Sequence, residues 1–175
     1  MSQILKTEAI VLKKKNLLGK DVLITLLSEE EGKIAVFAKG IKKITSRRAP
    51  HVQTANLITT IISSNNSRYY LQESKLVSAF SGIKSEPRKI DILYLVFFVL
   101  DRMLPELQRE QQLYISVKKF LIELAKTKEF SKIQAAYYLQ EIVHLLGYHK
   151  KIGTWVELIG YIEEIIHEKL PSRVI

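Results

Sequence analysis

Lys39, Lys42, Lys43, Arg47 and Arg48 place five cations within residues 39–48, and from Gly32 to Gln72 there is no Asp or Glu to balance them. Side chains of this type at this spacing suit one chemistry, the neutralisation of phosphates. A solvated loop ordinarily mixes signs to limit self-repulsion. A loop of one sign implies a polyanion that supplies the missing counter-charge. Two more clusters belong with it. Lys13, Lys14 and Lys15 follow an apolar run, with Lys20 close behind, and Arg68 precedes Tyr69 and Tyr70. Cations that track a backbone, with rings on which bases stack, are what single-strand binding requires. Tyr69 and Tyr70 must point to opposite faces of a strand. Tyr69 is the candidate for the exposed ring, and Phe37 is expected in the core.

Other chemistries are poorly supplied. The histidines are His51, His144, His149 and His167; no two are three or four residues apart, and there is no cysteine to complete a zinc set. The pairs Gly19-Lys20 and Gly32-Lys33 lack the rest of a phosphate loop, and no G-x-S-x-G is present. Glu29, Glu30 and Glu31 read as a solvated turn rather than a magnesium site. A nuclease would need clustered acidic metal ligands, and the basic half offers few. No catalytic residue, metal ligand or cofactor is expected, and the chain is not expected to be an enzyme. With no recognition-helix or zinc-finger signature, little sequence preference is expected.

The groups must be positioned by two kinds of element. Residues 7–80 read as five short strands: residues 7–15, 21–28, 33–38, 55–64 and one opening at Tyr69. Glu29 to Gly32 is a hairpin turn candidate, and the run from Ser63 to Arg68 is a turn by composition. From residue 85 the period becomes helical. Ser85 is the expected cap of a first helix carrying Glu86 and Pro87 in its first turn, with Pro105 ending it. A second helix carries Leu113, Val117, Phe120, Leu121 and Leu124 on one face. A third is capped by Ser131 and stops at Gly147, and a fourth begins with the capping box Thr154-Trp155-Val156-Glu157. Strands followed by helices predict an α+β protein: a five-stranded OB-fold nucleic-acid-binding domain over residues 1–82, then an all-helical domain over residues 83–175.

Charge divides the same way. Residues 1–85 hold 14 Lys and Arg against 6 Asp and Glu, whereas residues 86–175 hold 13 against 12. A basic module followed by a near-neutral one is the simplest account. The 47% apolar content is ample for a core, and the pI near 9.6 favours anionic partners. The most apolar run, residues 92–100, is about half of the roughly 18 residues a membrane span needs and reads as a buried helix. No signal-peptide core precedes the first lysines. The absence of cysteine fits a reducing compartment. A soluble, cytoplasmic protein with no membrane partner is expected. An anionic-lipid binder would place its cations on an amphipathic helix, and here they sit in the strand-rich half.

Several segments resemble a known family. Thr7-Glu8-Ala9-Ile10-Val11-Leu12, Lys20-Asp21, Ile24-Thr25-Leu26-Leu27-Ser28, Glu31-Gly32-Lys33, Ala38-Lys39-Gly40 and Ser46-Arg47 are similar to the N-terminal domain of the bacterial RecO family of recombination mediators. Gln53 and Tyr69-Tyr70-Leu71 fit the same pattern. Leu104-Pro105-Glu106, the run EIVHLLGY from Glu141 to Tyr148, and Leu170-Pro171-Ser172-Arg173 resemble segments of its helical domain. The resemblance implies binding of single- and double-stranded DNA, annealing of complementary strands, and help in loading the RecA recombinase in DNA repair. It also implies two protein partners, a RecR-like mediator and the acidic tail of the single-stranded-DNA-binding protein, and no nucleotide hydrolysis. Many members carry a four-cysteine zinc element after the L-L-G-Y segment. Here Tyr148 is followed by His149-Lys150-Lys151-Ile152-Gly153 and then the last helix. A competing expectation of another class is a non-enzymatic adaptor whose basic loop docks an acidic protein.

Overall fold

The structure, a computed structural model, describes residues 3–43 and 45–171. Ser172 and Arg173, part of the last resembling segment, lie outside the described residues. Five strands form a closed barrel in the order β1-β2-β3-β5-β4: β1 Gln3–Asn16, β2 Val22–Ser28, β3 Gly32–Ala38, β4 Leu57–Asn65 and β5 Arg68–Ser78. Among the described residues five helices follow: α1 Ser81–Lys84, α2 Pro87–Met103, α3 Gln111–Lys126, α4 Lys132–Leu145 and α5 Trp155–Ile166. The OB-type barrel and the α+β class are therefore as the sequence predicts.

Alternation along the strands fills the barrel. Val11, Val22, Ile24, Leu26, Ile34, Val36, Ile58, Ile62 and Leu71 form one buried cluster. All neighbouring strands pair antiparallel except β3 and β5, which run parallel over Val36↔Tyr69 and Phe37↔Tyr70. The β2–β3 turn is held by the Ser28 hydroxyl, which accepts from the amides of Glu30 and Glu31 at 3.2 Å each. The β4–β5 hairpin turns on Asn66 and Ser67, both at positive φ (48° and 59°), as a two-residue type I′ turn demands. The strands therefore run further into the polar Ser63-to-Arg68 stretch than its composition suggests.

The compact unit that holds the barrel also contains Pro105–Tyr114. The Leu107 amide donates to the Lys33 carbonyl at 2.9 Å, and Lys33 forms a parallel bridge with Glu106. The segment thus covers the part of β3 that precedes its short pairing with β5. Arg109 reaches the β2–β3 turn, with Nη2 3.2 Å from the Glu30 carboxylate. Tyr114 is buried, and its hydroxyl donates to the Glu8 carboxylate at 2.7 Å. Burial, reinforced by that carboxylate, pushes the Tyr114 phenol well above its ordinary range.

The second unit comprises Phe80–Leu104 and, among the described residues, 115–171. Its helices bury Leu95, Val99, Val117, Phe120, Leu124, Leu139, Ile142 and Ile162. The capping boxes at Ser131 with Gln134 and at Thr154 with Glu157 are both formed. The start of α2 differs from expectation. Glu86 is its N-cap and Pro87 its first residue, while Ser85 closes the single turn α1. Pro87 fixes the helix start, because its missing amide falls where no intrahelical bond is made. Four residues of helix before it are too few to show a period.

Candidate nucleic-acid interface

Register decides which side chains share the outside of the barrel. Partners across a ladder lie on one face. Lys15 faces Leu23, Leu23 faces Phe37, and Phe37 faces Tyr70. Four adjacent strands thus carry a transverse row of one cation, one leucine and two rings, about 14 Å across at a strand spacing near 4.8 Å. A second row, Lys13–Thr25–Ala35, runs beside it. Lys39 is two residues beyond Phe37, and its ammonium sits 4.9 Å from the Tyr70 ring centroid. Phe37 and Tyr70 pack at 5.8 Å with a 33° tilt, both half-buried. Arg68, exposed and two residues before Tyr70, shares its side of β5. Lys13 and Lys15 from β1, Phe37 from β3 with Lys39 just beyond it, and Arg68 and Tyr70 from β5 therefore come together, with Leu23 of β2 between them.

Three residues, Tyr69, Phe37 and Lys14, take places other than those the sequence suggests. Tyr69 is in register with the core residue Val36 and packs against the barrel cluster. Burial, with a smaller push from Glu31, raises its phenol. The outward ring is Tyr70, and Phe37 joins it instead of the core cluster. Lys14 also separates from its neighbours. It pairs with core residue Ile24 and donates to the Gln53 side-chain oxygen at 3.0 Å.

The basic loop between β3 and β4 is anchored at both ends of its cation run. Ile41 and Val52 plug the barrel core. The Gly40 amide donates to the Asp21 carboxylate at 2.7 Å, and the Lys42 ammonium to the Leu17 carbonyl at 3.0 Å, which ties the loop to the β1–β2 turn. Arg48 spans from the loop to β5. It donates through Nη1 to the Leu71 carbonyl at 2.8 Å and through Nη2 to the Lys39 carbonyl at 2.9 Å. Lys43 and Arg47 are exposed. Lys14, Lys42 and Arg48 thus bond to uncharged oxygens, which orient them without cancelling their charge.

Arg48 is accordingly a brace as well as a cation. Arg48→Ala should loosen residues 39–48 by about 1.5–3 kcal/mol, the range for charged hydrogen bonds, and speed amide exchange there while the strands stay protected. Arg48→Lys should not restore protection, since an ammonium lacks the planar fork that reaches two carbonyls. Hydrogen exchange followed by mass spectrometry reads both results.

Among the described residues no group of three or more His, Asp or Glu converges as a metal cluster, and no helix is long and apolar enough to cross a membrane. One proximity escaped the spacing rules: His144 and His149 meet, with their Nδ1 atoms 3.0 Å apart. Five residues apart, they lie together only because α4 ends between them.

Residues 1–80 match the family described as Recombination protein O N terminal. The chain is 30% identical over 144 residues to a DNA repair protein RecO of Caldanaerobacter subterraneus subsp. tengcongensis, covering 82% of this chain and 58% of that protein. It is 28% identical over 155 residues to one from Thermoanaerobacter sp., covering 88% and 62%. With one from Syntrophomonas wolfei it shares 28% over 169 residues, covering 96% and 66%. The chain thus spans about three-fifths of the length of the first two relatives.

Proposed function

The chain belongs to the bacterial RecO family through its N-terminal barrel, and from that premise we propose that it is a DNA-binding recombination mediator in DNA repair. It binds single- and double-stranded DNA without marked sequence preference and anneals complementary strands. The observation that carries this reading is the face on which Lys13, Lys15, Phe37, Lys39, Arg68 and Tyr70 meet, next to a loop whose anchored cations bond to uncharged oxygens. An OB barrel takes oligonucleotides on the face around its second and third strands, where Leu23 and Phe37 lie.

The geometry suits annealing. Cations on the face and loop screen the repulsion between two phosphate backbones. Rings that take bases by their flat sides leave the Watson–Crick edges open to a complementary strand. Lys42, Lys43 and Arg47 extend the cationic surface, and Arg48 holds the loop that bears them. The family reading adds help in loading RecA, with a RecR-like mediator and the acidic tail of the single-stranded-DNA-binding protein as partners.

Fluorescence anisotropy with labelled oligo-dT over a salt series tests the reading. With about five phosphates neutralised, log K should fall with log salt at a slope of roughly −3.5. Replacing Lys42, Lys43 and Arg47 by Ala should flatten that slope and reduce annealing of complementary oligonucleotides without unfolding the barrel. Binding that ignores salt, or a slope unchanged in the triple variant, rejects the assignment.

A further inference from the structure

Helix α4 closes in a tight reversal. Gly147, at φ 93°, donates its amide to the His144 carbonyl at 2.9 Å, and the Tyr148 amide donates to the Val143 carbonyl at 3.1 Å. These are the paired bonds of a Schellman motif, which needs a left-handed residue at the position glycine holds. The reversal folds residue 149 back against the last turn of the helix. The two imidazoles meet with Nδ1 atoms 3.0 Å apart, ring centroids 4.5 Å apart and planes at 71°. Both side chains are exposed. At that distance one Nδ1 carries the proton and the other offers its lone pair, so a single electrophile joins two ring nitrogens.

We propose that a divalent transition metal ion replaces this proton, and that His144 and His149 form a two-imidazole site for zinc, nickel or cupric ion. The distance suits it. Two metal–nitrogen bonds of about 2.0–2.1 Å place their nitrogens about 2.9 Å apart at a right angle and about 3.3 Å apart at a tetrahedral one. Imidazole nitrogen selects these ions, whereas magnesium and calcium take oxygen ligands. With no third His, Asp or Glu converging among the described residues, water completes the shell and the ion exchanges readily. The Lys150 ammonium, next in sequence, rests on the Tyr161 ring at 5.0 Å. A bound ion would clamp the connection between α4 and α5 to the end of α4.

The test uses the full chain without a polyhistidine tag, stripped with a chelator and titrated with zinc, nickel and cupric salts by calorimetry at pH 7.5. One ion per chain is expected, with magnesium silent. His144→Ala and His149→Ala should each lose roughly tenfold or more in affinity, since even supporting partners of metal ligands contribute that much. His167→Ala, which removes a histidine from elsewhere, should change nothing. Acidification to pH 5.5 should weaken binding, because protons compete for ligand nitrogens. Absence of saturable binding, or equal binding by the His144→Ala/His149→Ala double variant, overturns the proposal. Neither result depends on DNA.

Discussion

Replacing Phe37 and Tyr70 together by leucine weakens binding to oligo-dT by roughly 30-fold or more, because base stacking contributes about 1–3 kcal/mol per ring and two rings are lost. Leucine keeps apolar cover over half-buried positions and removes only the aromatic face. The salt slope should stay as it was, since the lysines and arginines that meet phosphate are untouched. A fall in affinity at constant slope separates stacking from ion pairing within one experiment. Tyr69→Leu is the informative contrast. Its ring packs on the barrel cluster, so that variant should lose stability and retain affinity. Anisotropy over a salt series, with thermal unfolding of each variant, reads every arm. Unchanged affinity in the double variant would remove the rings from the interface and leave only a cationic surface.

The exchange of Tyr69 for Tyr70 marks where the sequence stops being informative. Alternation says that adjacent tyrosines face opposite ways, but not which way either faces. That is fixed by the parallel register Val36↔Tyr69, a pairing between distant segments that leaves no local trace. The same holds for Lys14. The irregular step in pairing between Val11 and Lys13 sets the phase of the three lysines, and β1 carries no glycine or proline to announce it. Elements whose cause is local were legible. Ser131 and Thr154 cap helices through side chains three residues from their partners, and the basic loop follows from a one-sign run of charge. The helical reversal at Gly147 was also legible, but its consequence was not. Metal-ligand spacing rules assume a continuous helix, and His144 and His149 meet because the helix ends. The charge of Arg48 is visible in sequence and suggests a phosphate contact, whereas the carbonyls of Lys39 and Leu71 that it braces are not.

The packing of Pro105–Tyr114 on the barrel has no signature in the sequence, where Pro105 reads only as a helix end, and Gly32 is the residue that exposes it. Gly32 has φ 71°, and a Cβ built on it would lie 1.9 Å from the Gln108 carbonyl oxygen and 2.6 Å from its carbon. Both are backbone atoms of a segment pinned by the Leu107 amide, Arg109 and Tyr114, so no side chain can swing aside. Gly19 has the same φ of 71° with nothing within 4 Å of its Cβ position. The two alanine variants therefore share the left-handed backbone and differ only in the neighbour. Gly19→Ala should cost about 1 kcal/mol, the strain of a non-glycine residue at positive φ. Gly32→Ala should cost about 3 kcal/mol, because displacing the segment adds the loss of the Leu107 hydrogen bond and of packing around it. Denaturant unfolding of both variants measures the difference. A gap of about 2 kcal/mol assigns it to the segment lying against β3, whose amides near Leu107 should then exchange faster in Gly32→Ala. Equal losses would mean that the segment does not press on Gly32, and that the first half of β3 stands without the cover described for it.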